Sequence, residues 1–237
     1  MTSSLPLSAR LAWWGTAWLR GLVATDLVLD AVAADGRLHQ GPDGESLVGT
    51  LGLLRVAGAT GCGIALPVAG DPLGLGGPAE LNDLALELGE AMVCAEAGLA
   101  LVPEAGPEVV TWHVRPASHR QLPDVGEADR ELRAETLRAA DELAALDVAR
   151  WRPEVADLLM ARNRPDPDGP PGVPARCVAL ASRAASALLV VDLGLDDDGG
   201  ALSVDEASRR RAALVPLERS ARRALVAACS SEAWPAD

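Results

Sequence analysis

The sequence predicts an α+β fold that is predominantly helical, with a small mixed β-sheet and its helices first and a helical portion after it. Short apolar runs bounded by Gly and Pro, which are typical of strands, occur between residues 60 and 116. From Gly126 onward, the apolar residues recur with the period of an α-helix. We therefore divide the chain into a small α/β layer over residues 1–120 and a helical portion over residues 121–237. The two portions either form separate domains or share one core.

Three helices are predicted in the first 60 residues. In the first, apolar side chains three or four residues apart indicate a helix over residues 8–20. These side chains are Leu11, Trp14, Trp18 and Leu22. Thr25 is a suitable N-cap for a second helix over residues 26–34. Ser46 is a suitable N-cap for a third helix that ends at Val56, although the glycines within it leave a strand as the alternative.

A strand, a tight loop and a helix are predicted to follow one another in the centre of the α/β layer. Residues 64–68 form a continuous apolar run, which predicts a strand covered on both faces. Residues 69–77 are rich in Gly and Pro and predict a loop. Residues 78–97 predict a helix, because apolar side chains recur there at helical spacing. These side chains are Leu81, Leu84, Leu88 and Met92.

Two further strands are predicted after this helix. Residues 99–103 form a short apolar run, and residues 109–115 alternate apolar and polar side chains. Residues 104–108 predict a turn that joins them. The strand–helix–strand order implies that 64–68 and 99–103 pair in parallel through a right-handed crossover. The hairpin then makes the third strand antiparallel.

The helical portion predicts several long helices. The first runs from Gly126 to about Arg150, and a second covers residues 153–163. A Pro/Gly-rich linker follows over residues 164–174. Residues 175–193 then form a helix, unless their last six residues turn into a strand.

The last helix is predicted to begin at a capping box over residues 203–206 and to reach about Cys229, with a break or kink at Pro216. It carries a basic cluster of six arginines, which are Arg209, Arg210, Arg211, Arg219, Arg222 and Arg223. We expect these arginines to pair with acidic groups of the same protein, because the acids are in excess. The alternative is that they bind an acidic partner or nucleic acid.

The charge of the chain disfavours nucleic-acid binding in general. The formal net charge is −13, so the protein repels phosphate backbones at long range. The abundance of Ala, Leu, Val, Arg and Gly, with no Lys, is typical of a GC-rich bacterial genome.

The cysteines and the apolar segments favour a cytoplasmic location. Cys62, Cys94, Cys177 and Cys229 lie far apart without a C-x-x-C pair, which predicts buried, reduced thiols rather than a zinc site. The N-terminus has no basic region before an unbroken apolar run, so a signal peptide is not expected. The most apolar window, residues 177–195, contains an arginine and an aspartate, which favours a buried helix over a membrane span.

The best candidate for a ligand site is the Gly/Pro loop over residues 69–78. Ligands of α/β sheets collect beyond the carboxyl ends of parallel strands, and open N–H groups at a helix start can bind an anion. Carboxylates on the same edge could instead hold a divalent ion. The candidate ligand-binding residues are Asp71, Gly74, Gly76, Gly77, Glu104 and His113. The alternative is a tight connector with Pro78 at the first helical position.

The sequence favours a cytoplasmic, non-catalytic regulatory or protein-interaction module, which binds a protein partner or self-associates and does not enter a membrane. The histidines follow no ligand spacing, there is no nucleophile elbow or nucleotide motif, and no lysine could form a Schiff base. We therefore predict no metal and no cofactor. The alternative function is a small-ligand or divalent-ion binding protein or enzyme with its site at the 69–78 loop.

Overall fold

A computed structural model of the chain describes residues 5–145, 169–196 and 204–235. The helix predicted over residues 153–163 lies outside these residues. So do residues 164–168 of the predicted linker and the first residue of the predicted capping box.

The structure confirms the predicted α+β fold, in which helices dominate and the sheet lies in the N-terminal half. The helices are α1 (Leu7–Leu19), α2 (Thr25–Val32), α3 (Leu47–Val56), α4 (Ala79–Leu88), α5 (Val125–Ala145), α6 (Ala175–Asp196) and α7 (Val204–Ala228). The strands are β1 (Leu38–Gln40), β2 (Gly63–Ala65), β3 (Ala91–Cys94), β4 (Leu99–Ala105) and β5 (Val109–Pro116).

The five strands form one mixed sheet in the order β1-β5-β4-β3-β2. Only the pair of β1 and β5 is parallel, and the other three pairs are antiparallel. The predicted parallel pairing of residues 64–68 with 99–103 is therefore wrong, because β3 lies between these two strands. The strand β1, which the sequence analysis did not predict, supplies the parallel edge instead.

The helix predicted over residues 78–97 is also shorter than expected. It ends at Leu88, because Gly89 adopts a left-handed conformation with a φ of 85°. Met92 consequently belongs to β3 and pairs with both Ile64 and Leu101 in the sheet. The third predicted helix is confirmed, and the Ser46 hydroxyl accepts a hydrogen bond from the backbone N–H of Gly49 as its N-cap.

Helices cover both faces of the sheet. One face packs against α1 and contributes Ile64, Leu101 and Trp112 to the main core, which also includes the buried side chains of α3. The opposite face of β2, β3 and β4 packs against α4 in a smaller cluster that contains Leu81 and Ala85.

The main core extends into the C-terminal helices. Leu180 of α6 and Leu225 of α7 are fully buried in the same hydrophobic cluster as Leu11 of α1 and Trp112 of β5. One hydrophobic cluster therefore contains buried side chains from both portions of the chain. Because α7 is continuous through Pro216, the last helix is not broken there.

The helix α6 remains helical throughout and does not turn into a strand. By length and composition, its residues Ala175–Leu195 could cross a membrane, with a mean hydropathy of 1.7. In the structure α6 packs against α7 and buries Cys177, Leu180 and Ala184 completely or almost completely.

Candidate functional site

The loop between β2 and α4, residues 66–78 and here called the glycine loop, is held by two arginines from outside it. Arg120 is almost fully buried, and its Nη1 donates to the carbonyl oxygens of Ile64 at 2.7 Å and Gly74 at 3.0 Å. Its Nη2 lies 2.9 Å from Oε1 of Glu232, which balances its charge. Burial lowers the pKa of Arg120, and the neighbouring carboxylate partly offsets this effect. Arg120 therefore ties the loop to the sheet and to the C-terminal segment.

Arg222 of α7 holds the other end of the glycine loop. Its Nη1 donates to the carbonyl oxygen of Leu66 at 3.0 Å, and its Nη2 donates to Oδ2 of Asp71 at 3.1 Å. Glu218, one turn earlier on α7, lies 3.6 Å from Nε. The Asp71 carboxylate, which was predicted as a ligand group, is therefore paired with a largely buried cation of the same chain.

The three predicted glycines of the loop also make internal contacts. Gly74 has a φ of 81°, and a Cβ built on it would lie 2.7 Å from the carbonyl oxygen of Ile64. At Gly76 an added Cβ would clash with the carbonyl group of His119. The backbone N–H of Gly77 donates to Oδ1 of Asn82 at 3.1 Å, so this predicted anion donor already has a partner.

Glu104 and His113 come together on β4 and β5, at least two strands away from β2 and the glycine loop in the sheet order. Nε2 of His113 lies 2.7 Å from Oε2 of Glu104 across the β4–β5 pair, and both side chains are at least partly exposed. The strand β3 and the body of β4 separate them from β2 and its loop. The structure therefore divides the six predicted ligand residues into the loop group and this surface pair. Among the described residues, no group of three or more His, Cys, Asp or Glu side chains could hold a metal ion.

A buried polar cluster around His39 was not predicted. The indole N–H of Trp112 donates to Nδ1 of His39 at 3.2 Å, and Nε2 of His39 lies 3.3 Å from Oδ1 of Asp35. Because Nδ1 accepts from the indole, the ring proton must lie on Nε2. Both ring nitrogens are thus engaged, which makes this a structural histidine rather than an available base.

Burial and hydrogen bonds together set the charges of this cluster. Burial lowers the pKa of His39, and the nearby Asp35 carboxylate offsets only part of this effect. For Asp35, burial alone would raise the pKa, but hydrogen bonds from Arg37, His39 and Arg10 hold it well below its usual range. His39 is therefore neutral and Asp35 ionised at neutral pH. The only sequence signal for this cluster was the alternating pattern of the three residues of β1. The turn residues on both sides of this short strand made that pattern hard to recognise.

Two of the four cysteines form a disulfide. Cys62, just before β2, is bonded to Cys94 at the end of β3, with 4.5 Å between their Cα atoms. The prediction of reduced thiols is therefore wrong for this pair, because antiparallel pairing brings the two strand ends together. Cys177 and Cys229 are free and buried, and burial raises the pKa of both thiols.

The solvent side of α3 is a further feature that was not predicted from the sequence. At about 100° per residue, the buried side chains of this helix occupy one side. These are Leu47, Thr50, Leu51 and Leu54. The opposite side, here called the outer α3 face, is apolar as well. It consists of Val48, Gly49, Gly52, Leu53 and Val56. A helix that is apolar on every side is normally covered on every side. The scarcity of polar residues in α3 was therefore the sequence signal from which this face could have been found.

Comparisons with known proteins identify the family of the chain. A family model described as "Rv1486c-like protein, N-terminal domain" matches residues 8–125, and its C-terminal counterpart matches residues 126–226. A relative from Mycobacterium tuberculosis strain H37Rv, described as uncharacterized protein Rv1486c, is 30% identical over 96% of this chain and 98% of its own length. Protein MT1533 of strain CDC 1551 has the same description, identity and coverage. No solved structure matches the chain. The chain therefore belongs to the Rv1486c-like protein family.

Proposed function

We propose that this chain is a cytoplasmic, non-catalytic regulatory or protein-interaction module that binds its partner through the outer α3 face. One observation carries the proposal: apart from Arg55 at its edge, the solvent side of α3 carries only apolar side chains and glycines. Val56 is 90% exposed and Leu53 is 48% exposed. Large apolar surfaces of this kind commonly mark sites where another protein binds.

The exposed side chains of the outer α3 face can supply binding free energy when a partner covers them. Full burial of a valine or leucine side chain contributes about 1.5–3 kcal/mol relative to its exposure to water. Val48, Leu53 and Val56 are each exposed to 40% or more, so a partner that covers all three gains a substantial part of this energy. The two glycines between them let a partner approach the helix backbone closely.

The alternative of a ligand or ion site at the glycine loop has less support. Asp71 is paired with Arg222, and the Gly74 carbonyl and the Gly77 N–H are engaged by Arg120 and Asn82. A ligand would have to replace these contacts, two of which come from largely buried arginines. Binding there would cost the charge-assisted hydrogen bonds that the loop already makes.

Nucleic-acid binding through the arginines of α7 also has less support. Arg222 pairs with Asp71, and Arg223 lies 3.1 Å from Oε2 of Glu131 on α5. Two members of the predicted basic cluster are therefore directed to carboxylates of the same chain. The net charge of −13 opposes a phosphate backbone as well.

Site-specific photo-crosslinking in living cells tests the proposal. A photoreactive amino acid replaces Leu53 on the outer α3 face in one variant and Leu137 of α5, which is 70% exposed, in the matched control. We expect a discrete protein adduct from position 53 and none from position 137, because only the first lies on the proposed docking face. The proposal fails if position 53 yields no adduct at expression levels where the variant is folded and soluble.

A further inference from the structure

We infer that the occupant of the outer α3 face is a second copy of this chain, with the two α3 helices packed antiparallel across a two-fold axis near Gly52. This inference rests on the proposed function, since it requires that the outer α3 face binds protein. It adds the identity of the partner and the geometry of the contact.

The outer α3 face is complementary to itself in shape. Gly52 has no atom within 4 Å of where a Cβ would lie, and Gly49 has only the Ser46 hydroxyl nearby, so the surface is open above both glycines. Leu53 and Val56 project beside these openings. In a two-fold contact centred near Gly52, the two Gly52 residues meet at the axis, which lets Leu53 of each helix pack beside Gly52 of the other and Val56 of each pack beside Val48 of the other, as an isologous interface requires.

The two ends of α3 are complementary in charge. Asp43 and Glu45 are exposed just before α3, and the exposed Arg55 lies in its last turn. Antiparallel packing places the acidic end of each helix beside the basic end of the other, and it also aligns the helix dipoles favourably. The Arg55 guanidinium packs 3.5 Å from the centre of the Trp18 ring, which fixes it at the edge of the face.

The outer α3 face also differs in charge from the rest of the protein. The protein carries a net charge of −13, so two copies repel each other through most of their surfaces. The outer α3 face contains no charged side chain. It is therefore a surface on which two copies can meet without placing like charges directly opposite one another.

The size of the contact predicts its strength. A ten-residue helix is about 15 Å long, and a pair of such helices buries less than a standard protein interface. We therefore expect a reversible dimer with a micromolar dissociation constant rather than an obligate one.

Sedimentation equilibrium of the full chain over about 1 to 300 μM tests the dimer. We expect the mass average to rise from monomer to dimer across this range. The Leu53→Glu variant should weaken dimerisation at least tenfold, because it buries a charge at the contact. The Leu137→Glu variant on exposed α5 is the matched control and should dimerise like the parent chain. A parent chain that stays monomeric throughout overturns the inference.

A charge-swap experiment tests the antiparallel arrangement. Glu45→Arg alone places two arginines together at each end of the contact, and Arg55→Glu alone places two carboxylates there. Each variant should therefore dimerise at least tenfold more weakly, whereas an equimolar mixture should form a mixed dimer in which both ends attract. A mixture no tighter than the separate variants overturns the antiparallel pairing, provided that circular dichroism shows both variants to be folded.

Cysteine crosslinking gives an independent measure that does not depend on Arg55. In the proposed packing, Val48 of one copy faces Val56 of the other. Mixed Val48→Cys and Val56→Cys chains should form a crosslinked dimer under mild oxidation faster than either variant alone. Equal rates for the mixture and for the separate variants contradict the packing.

The two proposals fail in different ways. If the parent chain is monomeric and position 53 crosslinks to a different protein, the second-copy inference is wrong and the interaction function stands. If position 53 crosslinks to nothing, both are wrong. If the adduct has twice the mass of the chain and sedimentation shows a dimer, both are supported.

Discussion

Nη1 of Arg120 lies 2.7 Å from the carbonyl oxygen of Ile64, in the middle of the edge strand β2. The backbone N–H of Ile64 donates to the Ser230 hydroxyl at 3.1 Å. An edge strand normally presents unpaired backbone groups that can recruit another strand. Here the side chains of Arg120 and Ser230 satisfy them, so the last helix and its following segment close the edge of the sheet.

Replacement of Arg120 by Met should strongly destabilise the protein. The variant leaves the carbonyl oxygens of Ile64 and Gly74 without this donor and removes the partner of Glu232. A buried acceptor left without its donor costs about 1–3 kcal/mol, so the two carbonyl oxygens together account for about 2–6 kcal/mol. Urea unfolding should show a loss of that size, and Glu232→Gln, which keeps the Arg120 side chain, should lose less than half as much. Equal losses in the two variants would show that the backbone contacts of Arg120 contribute little.

Two glycine-to-alanine substitutions should change stability in opposite directions. At Gly74 the φ of 81° and the Ile64 carbonyl group both oppose a side chain, so Gly74→Ala should cost about 1–3 kcal/mol. Gly52 lies inside α3 with open space around it, so Gly52→Ala should raise the free energy of unfolding by about 0.5–1 kcal/mol. Thermal unfolding at a concentration low enough to keep the chain monomeric measures both. A stabilising Gly74→Ala would contradict the close approach of loop and strand.

Stability should fall with decreasing pH because of His39. Its folded pKa lies below its ordinary value of 6.5, so the unfolded chain takes up a proton first as the pH falls below that value. This loss develops from about pH 7 downward and continues until the pH passes the folded pKa. The depressed pKa of Asp35 acts in the same direction but only below about pH 4, where the unfolded carboxylate is protonated.

The His39→Asn variant isolates the histidine contribution. The Asn carbonyl can accept from the Trp112 indole as Nδ1 does, but it does not titrate. Between pH 7 and pH 5, the free energy of unfolding should therefore fall less steeply in His39→Asn than in the parent chain. Parallel curves for His39→Asn and the parent chain would exclude His39 as the cause.

Counting free thiols tests the proposed cytoplasmic location. The oxidised protein has two reactive thiols after denaturation, Cys177 and Cys229, and the reduced protein has four. Although the structure contains the bond between Cys62 and Cys94, a reducing cytosol should keep both thiols reduced, so acid-quenched and alkylated cells should give four labels. The purified, air-oxidised protein should give two. Two labels in freshly quenched cells would contradict a cytoplasmic location.

Local sequence signals were sufficient for the elements that have a clear period or cap. The prediction of α3 was correct because Ser46 caps it, and β4 and β5 were found because a hairpin turn separates two apolar runs. The helix 78–97 was extended too far because the four apolar residues of β3 continue its spacing. Periodicity cannot separate a short buried strand from the end of a helix, and only Gly89 marked the boundary.

The arrangement of the candidate site depended on contacts between distant parts of the chain. Arg222 reaches Asp71 across 151 positions, and Arg120 reaches Gly74 across 46, so neither contact leaves a local pattern. The disulfide between Cys62 and Cys94 was missed for the same reason, because it follows from the pairing of β2 with β3. The pair of Glu104 and His113 was grouped with the loop only because the sheet order was wrong.

The common hydrophobic interior has a consequence for dissecting this protein. The two family models meet between residues 125 and 126, which invites expression of each half by itself. A chain cut there would leave Leu11 and Trp112 in one fragment and Leu180 and Leu225 in the other, each stripped of its packing partners. Neither fragment would have a complete interior, so both should aggregate alone and become soluble only when they are produced together.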